Sequence, residues 1–91
     1  MDANQFETQL NADGYNDVER REGTANFQAK PHTHPFSVRA LVLAGEFTLN
    51  KEGVPQTYHA GEVLAMDANC LHFEAFGPEG STYILGRKHP A

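Results

Sequence analysis

The sequence predicts an all-β domain of the barrel or sandwich type, with one short helix in front of it. From Tyr15 onward, short apolar or alternating runs follow one another at close spacing, separated by Gly, Asn and Pro. No stretch after Tyr15 repeats its apolar residues at the helical period of 3.6. A parallel α/β sheet needs crossover helices between its strands, so this arrangement is not expected.

The length of the chain limits the size of its core. Ninety-one residues make one domain, covering 1–91, with the helix at about 3–13 and the barrel at about 15–88. A chain this short buries roughly 60% of its unfolded surface, and oligomerisation is one remedy for a thin core. We therefore expect a homodimer, and the strand around Leu41 and Leu43, which is apolar on both faces, adds to that expectation.

The net charge and the cysteine content limit which binding partners and which cellular compartment are expected. The net charge of −5 argues against nucleic acid and anionic membranes as partners. The longest apolar run, residues 40–44, is too short to span a bilayer, and the polar N-terminus lacks the core of a signal peptide. The single cysteine leaves no internal disulfide, so a cytoplasmic location is expected.

The first element is predicted to be a helix of two to three turns. Asp2 or Asn4 can cap its N-terminus, and Phe6 and Leu10 lie one turn apart on one face, which should pack on an apolar surface. Gly14 suits the left-handed position that follows a last helical turn.

The remaining chain is predicted to form short strands joined by turns. Turn-forming residues at Gly45, 51–53, 59–62, 67–69 and 77–80 separate most of them. The predicted strands are 15–22, 25–30, 38–44, 46–50, 54–58, 63–66, 70–76 and 81–87.

Two histidines two residues apart stand directly before the most apolar strand. His32 and His34 lie between Pro31 and Pro35. Residues i and i+2 of extended chain point to the same side, so both imidazoles can reach one metal ion. An exposed loop without any ligand is the alternative that the pair by itself leaves open.

The spacing around these histidines resembles that of the cupin family, whose fold is a jelly-roll β-barrel. The first cupin motif is Gly, five residues, His-x-His, three or four residues, Glu, six residues, Gly. At those spacings the chain has Asn26, His32, His34, Val38 and Gly45.

The second cupin motif is Gly, five residues, Pro-x-Gly, two residues, His, three residues, Asn. The chain has Gly61, Asp67, Asn69, His72 and Phe76 at those positions, so the resemblance covers nearly all of it. Asn26 and Asn69 replace glycines, which asparagine tolerates because it enters the left-handed region more easily than most residues.

The resemblance implies a metal site made of His32, His34 and His72. Val38 replaces the family's metal-binding glutamate and cannot bind an ion. It stands an even number of residues after His34, so extended chain would point its side chain toward the site. Three neutral imidazoles suit a divalent transition ion such as Fe, Ni, Zn, Mn or Cu. The alternative is an ancestral site that no longer holds metal.

The resemblance leaves two classes of function open. One is an oxygenase or isomerase acting on a small polar organic molecule, and the other is a non-catalytic ligand-binding or sensory module. A structural barrel without a ligand is the third reading. The sequence does not decide whether the chain is an enzyme.

Strand alternation places Glu74 and Cys70 on the same face as His72. Glu74 is the candidate catalytic residue, as a general base, although it could instead be a fourth ligand, support an imidazole, or pair with Arg39. Cys70 is more often a small core residue than a ligand. Arg39, the one charge in its strand, is expected to face outward rather than to bind substrate.

Overall fold

A computed structural model describes residues 1–90, which form one helix and five β-strands. The elements are α1 (Ala3–Ala12), β1 (Asp17–Gly23), β2 (Ser37–Lys51), β3 (Val54–Tyr58), β4 (Val63–Met66) and β5 (His72–Lys88). Every strand pairing is antiparallel. The prediction of an all-β fold with one short N-terminal helix is confirmed.

The two long strands organise the sheet. The order is β1-β5-β2-β3, with β4 beside the first half of β2. The first half of β2 pairs with the end of β5, and its second half pairs with the start of β5. Apolar side chains from both halves pack into one core, which contains Val38, Ala40, Val42, Phe47, Leu49, Leu64, Met66, Tyr83 and Leu85.

The sheet is open in the part of the chain that the structure describes. The predicted barrel is therefore not closed by a continuous ladder, because β1 and β3 remain its edges. The predicted strand at 25–30 is absent and this segment instead makes a single bridge, Gln28 to Ala75, followed by a second one from His32 to His72. Asn26 interrupts the extended chain, since its backbone has a φ of 58°.

The helix covers the outer face of the sheet. Asp2 caps it, accepting a hydrogen bond from the Gln5 backbone while the Gln5 side chain accepts one from the Asp2 backbone. Phe6 and Leu10 are buried with Tyr15, Leu41 and Ile84, and Leu43 packs against this cluster. The surface around Leu41 and Leu43 is thus occupied by the chain's own helix, so it does not supply the exposed apolar face that motivates the dimer prediction.

Two predicted breaks are bends in continuous strands. The pairing of β2 with β5 shifts register between Val42 and Ala44 and again between Gly45 and Phe47, as β-bulges do. Gly45 has a φ of 74°, and a Cβ on it would lie 2.2 Å from the Gly80 carbonyl oxygen. The predicted turn at 77–80 lies within β5, where the strand bends alongside β2.

The helix content concerns the expectation that no apolar segment is long enough to span a bilayer. Within residues 1–90, the ten residues of α1 are the only helix, and it is neither long nor apolar enough to cross a bilayer.

Candidate metal centre

Main-chain pairing brings the three predicted histidines together. His72 is the first residue of β5, and His32 and His34 lie in the segment that leads into β2. The His32 backbone N–H donates to the His72 carbonyl oxygen at 2.9 Å, and the His72 N–H donates back to the His32 carbonyl at 3.0 Å. The Asn69 N–H donates to the His34 carbonyl at 2.8 Å, which ties the second motif to the first.

The three imidazoles converge on one point. One ring nitrogen from each of His32, His34 and His72 lies within 4.8 Å of the other two. Nitrogens bonded to a common ion at 2.0–2.1 Å lie about 3.0–3.4 Å apart, so the set needs to contract by about 1.8 Å at most. His72 is 2% exposed, whereas His32 is open to solvent, so the site is buried on one side and accessible on the other.

Each ring is oriented by a main-chain carbonyl two residues away. The distances from Nδ1 to the carbonyl oxygen are 2.7 Å for His32 to Lys30, 3.1 Å for His34 to Phe36, and 2.9 Å for His72 to Cys70. A carbonyl oxygen only accepts, so each Nδ1 carries the proton. The neutral rings therefore present the Nε2 lone pair, which is the form that binds metal.

Glu74 points into the same space. Its Oε2 is 3.8 Å from His72 Nε2 and 3.9 Å from His32 Nε2, both longer than a hydrogen bond. This oxygen is buried and has no hydrogen-bond partner in the described residues. A carboxylate that faces two lone pairs with no donor between them is unfavourable unless a cation occupies the gap.

This arrangement fits a divalent transition ion. Three imidazole nitrogens and a nearby unpaired carboxylate oxygen supply the neutral and anionic donors that such ions accept. His32, His34 and His72 could hold the ion, and Glu74 lies close enough to compensate part of its charge.

Burial also tunes one of the imidazoles. Desolvation lowers the pKa of His34, the neighbouring rings of His32 and His72 lower it further, and only the bond to the Phe36 carbonyl and the Glu74 charge oppose this. The depressed pKa keeps His34 neutral, and therefore able to bind metal, at a lower pH than an exposed histidine.

A cavity of about 200 Å³ adjoins the histidines. Its wall is mainly apolar and includes Val38, which faces the site as its parity with His34 predicts. Phe36, Phe47, Met66 and Tyr83 belong to the same wall. Arg21 and Arg87 are charged members of the wall that the sequence does not predict.

Two other candidate residues lie outside this cavity. Cys70 precedes β5 and lines a separate surface pocket, so strand alternation from His72 does not extend to it. Arg39 points outward, as expected, where it pairs with Asp13 and lies over the Tyr15 ring at 4.6 Å. It therefore fastens the end of the helix rather than binding substrate or pairing with Glu74.

The departures from the cupin glycines are explained by the backbone. Asn26 and Asn69 have φ values of 58° and 64°, in the left-handed region that glycine normally serves. Both residues therefore keep the conformation that the motif requires at these turns.

Comparison with known proteins identifies the fold. No protein-family model matches the sequence, and no curated protein does either. Among solved structures, an RmlC-like cupin from Shewanella frigidimarina matches with a TM-score of 0.71 and 22% identity, over 80% of this chain and 65% of its own.

Two further structures agree. A Cupin 2 conserved barrel domain protein from Salinispora arenicola matches with a TM-score of 0.67 and 16% identity, over 78% of this chain and 60% of its own. The polyketide cyclase RemF from Streptomyces resistomycificus matches with a TM-score of 0.65 and 22% identity, over 77% and 51%. This chain thus spans between half and two-thirds of the length of these three proteins. The chain has the fold of a small cupin domain.

Proposed function

We propose that this domain binds one divalent transition-metal ion through Nε2 of His32, His34 and His72 and uses it in chemistry on a small polar organic molecule. The observation that carries the proposal is the buried, unpartnered Oε2 of Glu74, which faces two imidazole lone pairs at 3.8 and 3.9 Å. Without a cation, the protein would bear the cost of an unsatisfied buried carboxylate oxygen.

The chain's own residues have separable tasks in this proposal. The main-chain carbonyls hold the three Nδ1–H groups, so the Nε2 atoms are directed before an ion arrives. The apolar wall around Val38 excludes water from one side of the site. Glu74 accepts and returns a proton at Oε2, as a general base beside the substrate. A bound ion supplies Lewis acidity, and redox chemistry if it is Fe, Mn or Cu.

The reaction class follows from this equipment. An open-sided ion next to a carboxylate base suits an oxygenase or an isomerase. The solved neighbours include a polyketide cyclase as well as Drosophila CENP-C bound to CAL1, so the fold alone does not select catalysis. A non-catalytic ligand-binding or sensory module is the alternative, and a cytoplasmic location suits either one.

The first experiment measures metal stoichiometry. Protein purified without a nickel column and stripped with a chelator should take up one Co²⁺ or Zn²⁺ per chain in equilibrium dialysis. His72→Ala should lose stoichiometric binding, whereas Glu74→Gln should weaken it by about 10- to 100-fold at most, as supporting groups do. His59→Ala, which removes an exposed histidine elsewhere, is the matched control and should bind as the wild type does.

Three results would contradict this assignment. They are a wild-type protein that takes up no stoichiometric metal, an equal loss in His59→Ala and His72→Ala, and a loss in Glu74→Gln as complete as in His72→Ala. The last would make Glu74 a ligand.

Because protons compete for neutral imidazoles, whose ordinary pKa is about 6.5, bound metal should fall progressively below about pH 6.

The second experiment separates catalysis from binding alone. Protein loaded with Fe²⁺ is given a panel of thiols, diketones and hydroxy acids, while oxygen uptake and the NMR spectra of the compounds are followed. Turnover that Glu74→Gln lowers without loss of metal supports the enzyme. Saturable binding without turnover supports the ligand-binding module.

A further inference from the structure

The cavity beside the histidines carries two arginines that the proposed metal chemistry does not use. In the pairing of β1 with β5, Arg21 lies opposite Tyr83, and Arg87 lies opposite Asp17. Arg21, Tyr83 and Arg87 all line the cavity of about 200 Å³. Arg87 is buried for the most part, with 16% of its side chain exposed.

Two carboxylates hold these guanidinium groups. Nη1 of Arg87 donates to Asp17 at 3.4 Å and to Glu19 at 3.1 Å, and Nε of Arg21 donates to Glu19. Asp17 and Glu19 are not part of the cavity wall, so they orient the arginines without filling the space. The Phe36 ring, 5.6 Å from the Arg87 guanidinium carbon, adds a cation–π contact.

The arginines keep donors free. A guanidinium has five N–H groups, and among residues 1–90 the carboxylates engage only Nη1 of Arg87 and Nε of Arg21. The Tyr83 hydroxyl lies next to Arg21, and burial raises the pKa of Tyr83, so this group stays a neutral donor. The remaining donors face a space that is otherwise lined by apolar side chains, the three histidines and, beside the histidines, Glu74.

We propose that Arg21 and Arg87 select a small organic carboxylate as the molecule that this cavity binds. The planar fork of a guanidinium matches the two oxygens of a carboxylate, and such charge-assisted bonds are about twice as strong as neutral ones. A cavity of about 200 Å³ lies below the range of about 300–1,000 Å³ typical of drug-sized ligands, so the molecule is small. Its apolar body packs on the wall around Phe47 and Met66.

Only one part of this proposal rests on the proposed function, namely where the reactive end of the bound molecule lies. The carboxylate is bound by arginines, whereas the opposite, polar end of the molecule would face the Nε2 atoms and a bound ion. Carboxylate recognition can therefore be measured with and without metal.

The test compares an acid with its uncharged isostere. Benzoate and benzamide are titrated into metal-loaded and metal-free full-length protein, and binding is followed by calorimetry and by amide chemical shifts. Benzoate should bind about 10- to 100-fold more tightly than benzamide, as expected for bonds to charged groups. Arg21→Gln should abolish that preference while leaving benzamide binding unchanged.

The chain offers a matched control. Arg20, which precedes Arg21 in β1, is exposed and does not line the cavity, so Arg20→Gln changes the net charge equally and should keep the preference. Arg87→Lys keeps the positive charge but loses the forked guanidinium. It should weaken benzoate binding without removing both of the ion pairs that residue 87 makes with Asp17 and Glu19. Its amide spectrum checks that the variant is folded.

The outcomes keep the two proposals apart. Equal affinity for benzoate and benzamide, or equal effects of Arg21→Gln and Arg20→Gln, overturns the carboxylate assignment even if metal binds. Inorganic phosphate that binds through Arg21 more tightly than benzoate also overturns it. Selective benzoate binding to a protein that takes up no metal supports the assignment and rejects the metal centre instead.

Discussion

Each candidate ligand is oriented by the main chain rather than by another side chain. The three Nδ1–H groups donate to the carbonyls of Lys30, Phe36 and Cys70. Carbonyls in paired or turn segments cannot titrate, so they hold the same tautomer at every pH at which the rings are neutral. Glu74 is then the carboxylate that lies beside the Nε2 atoms of His32 and His72.

Position 38 gives a direct test of the geometry, because Val38 is 7% exposed and lines the cavity beside the histidines. Val38→Glu should add a ligand and tighten metal binding by about 10- to 100-fold, the scale on which supporting groups change affinity. Its metal-free form should melt at a lower temperature, since the carboxylate is buried without a partner. Val38→Gln is the control, because glutamine has the size of glutamate without its charge. If Val38→Gln tightened metal binding as much as Val38→Glu, the prediction would be contradicted.

The depressed pKa of His34 predicts a pH dependence of the metal-free protein. Burial disfavours the charged ring in the folded state, so between the folded pKa and the ordinary value near 6.5 the unfolded chain binds more protons. The free energy of unfolding should therefore fall as pH drops through about 6.5, with a slope of at most about 1.4 kcal/mol per pH unit from this group. Urea titrations from pH 5 to 8, with chelator present, measure it.

The variant His34→Asn tests the source of that slope, because the replacement is polar but does not titrate. Its curve should be flatter than that of the wild type over this range. An unchanged slope would show that another group is responsible.

Residue spacing predicted part of the site and missed the rest for a physical reason. The His-x-His pair and the two-residue step from His72 to Glu74 depend only on the alternation of extended chain, so both could be anticipated. Arg21 could not, because β1 reads Asp-Val-Glu-Arg-Arg-Glu-Gly and has no apolar alternation to say which face turns inward. Its place follows from pairing with the distant strand β5.

At the scale of elements, α1 contributes to stability without touching the candidate site. Leu10 is fully buried against the outer face of the sheet, and a Cβ on Gly86 would lie 2.8 Å from its side chain, so the helix approaches at a glycine. Leu10→Ala should lower the free energy of unfolding by about 2–5 kcal/mol, as measured by urea titration. Gln9→Ala, at an exposed position of the same helix, should change it by about 0.5 kcal/mol or less.

Metal stoichiometry should be unchanged in folded Leu10→Ala, because the helix and the histidines lie on opposite faces of the sheet. A loss of metal comparable to that in His72→Ala would show that the two faces are coupled.

Strands whose ends are set by neighbouring turn residues were predicted well. Strands that are lengthened by pairing with a distant strand were not. β3 and β4 begin and end as predicted, since turn residues flank both. β2 and β5 each continue through a segment that looks like a break. Gly45 and the segment 77–80 are turn signals by composition, but the pairing of β2 with β5 continues on both sides of them, so each lies inside one bent strand.

At the scale of the whole molecule, the open sheet leaves β1, β3 and β4 at its edges, and the first two each have a feature that resists pairing. Four of the seven residues of β1 between Asp17 and Gly23 are Glu or Arg, and β3 carries Pro55, which has no N–H to donate. With the surface at Leu41 covered by α1, a homodimer needs a different contact. Among the large apolar side chains of the described residues, the most exposed are Val54, 69% exposed, and Leu71, 53% exposed.

These two residues lie at the same end of the molecule. The Glu52 N–H donates to the Leu71 carbonyl oxygen at 3.1 Å, which holds Leu71 beside the hairpin turn that Val54 follows. Because the core of so short a chain is thin, burying this end against a second copy would add apolar contact that one chain cannot make. We therefore expect a homodimer whose contact includes Val54 and Leu71.

Sedimentation at micromolar concentration should give twice 10.0 kDa for the wild type. Val54→Lys should raise the dissociation constant by about 10-fold or more, because a lysine ammonium loses its hydration in an apolar contact. Val18→Lys is the matched control, since Val18 is an exposed valine on β1, at the opposite edge of the sheet, and should leave the dimer intact. A wild-type mass of 10.0 kDa throughout the micromolar range would exclude the dimer. A dimer that Val18→Lys weakens and Val54→Lys does not would move the contact to the edge formed by β1.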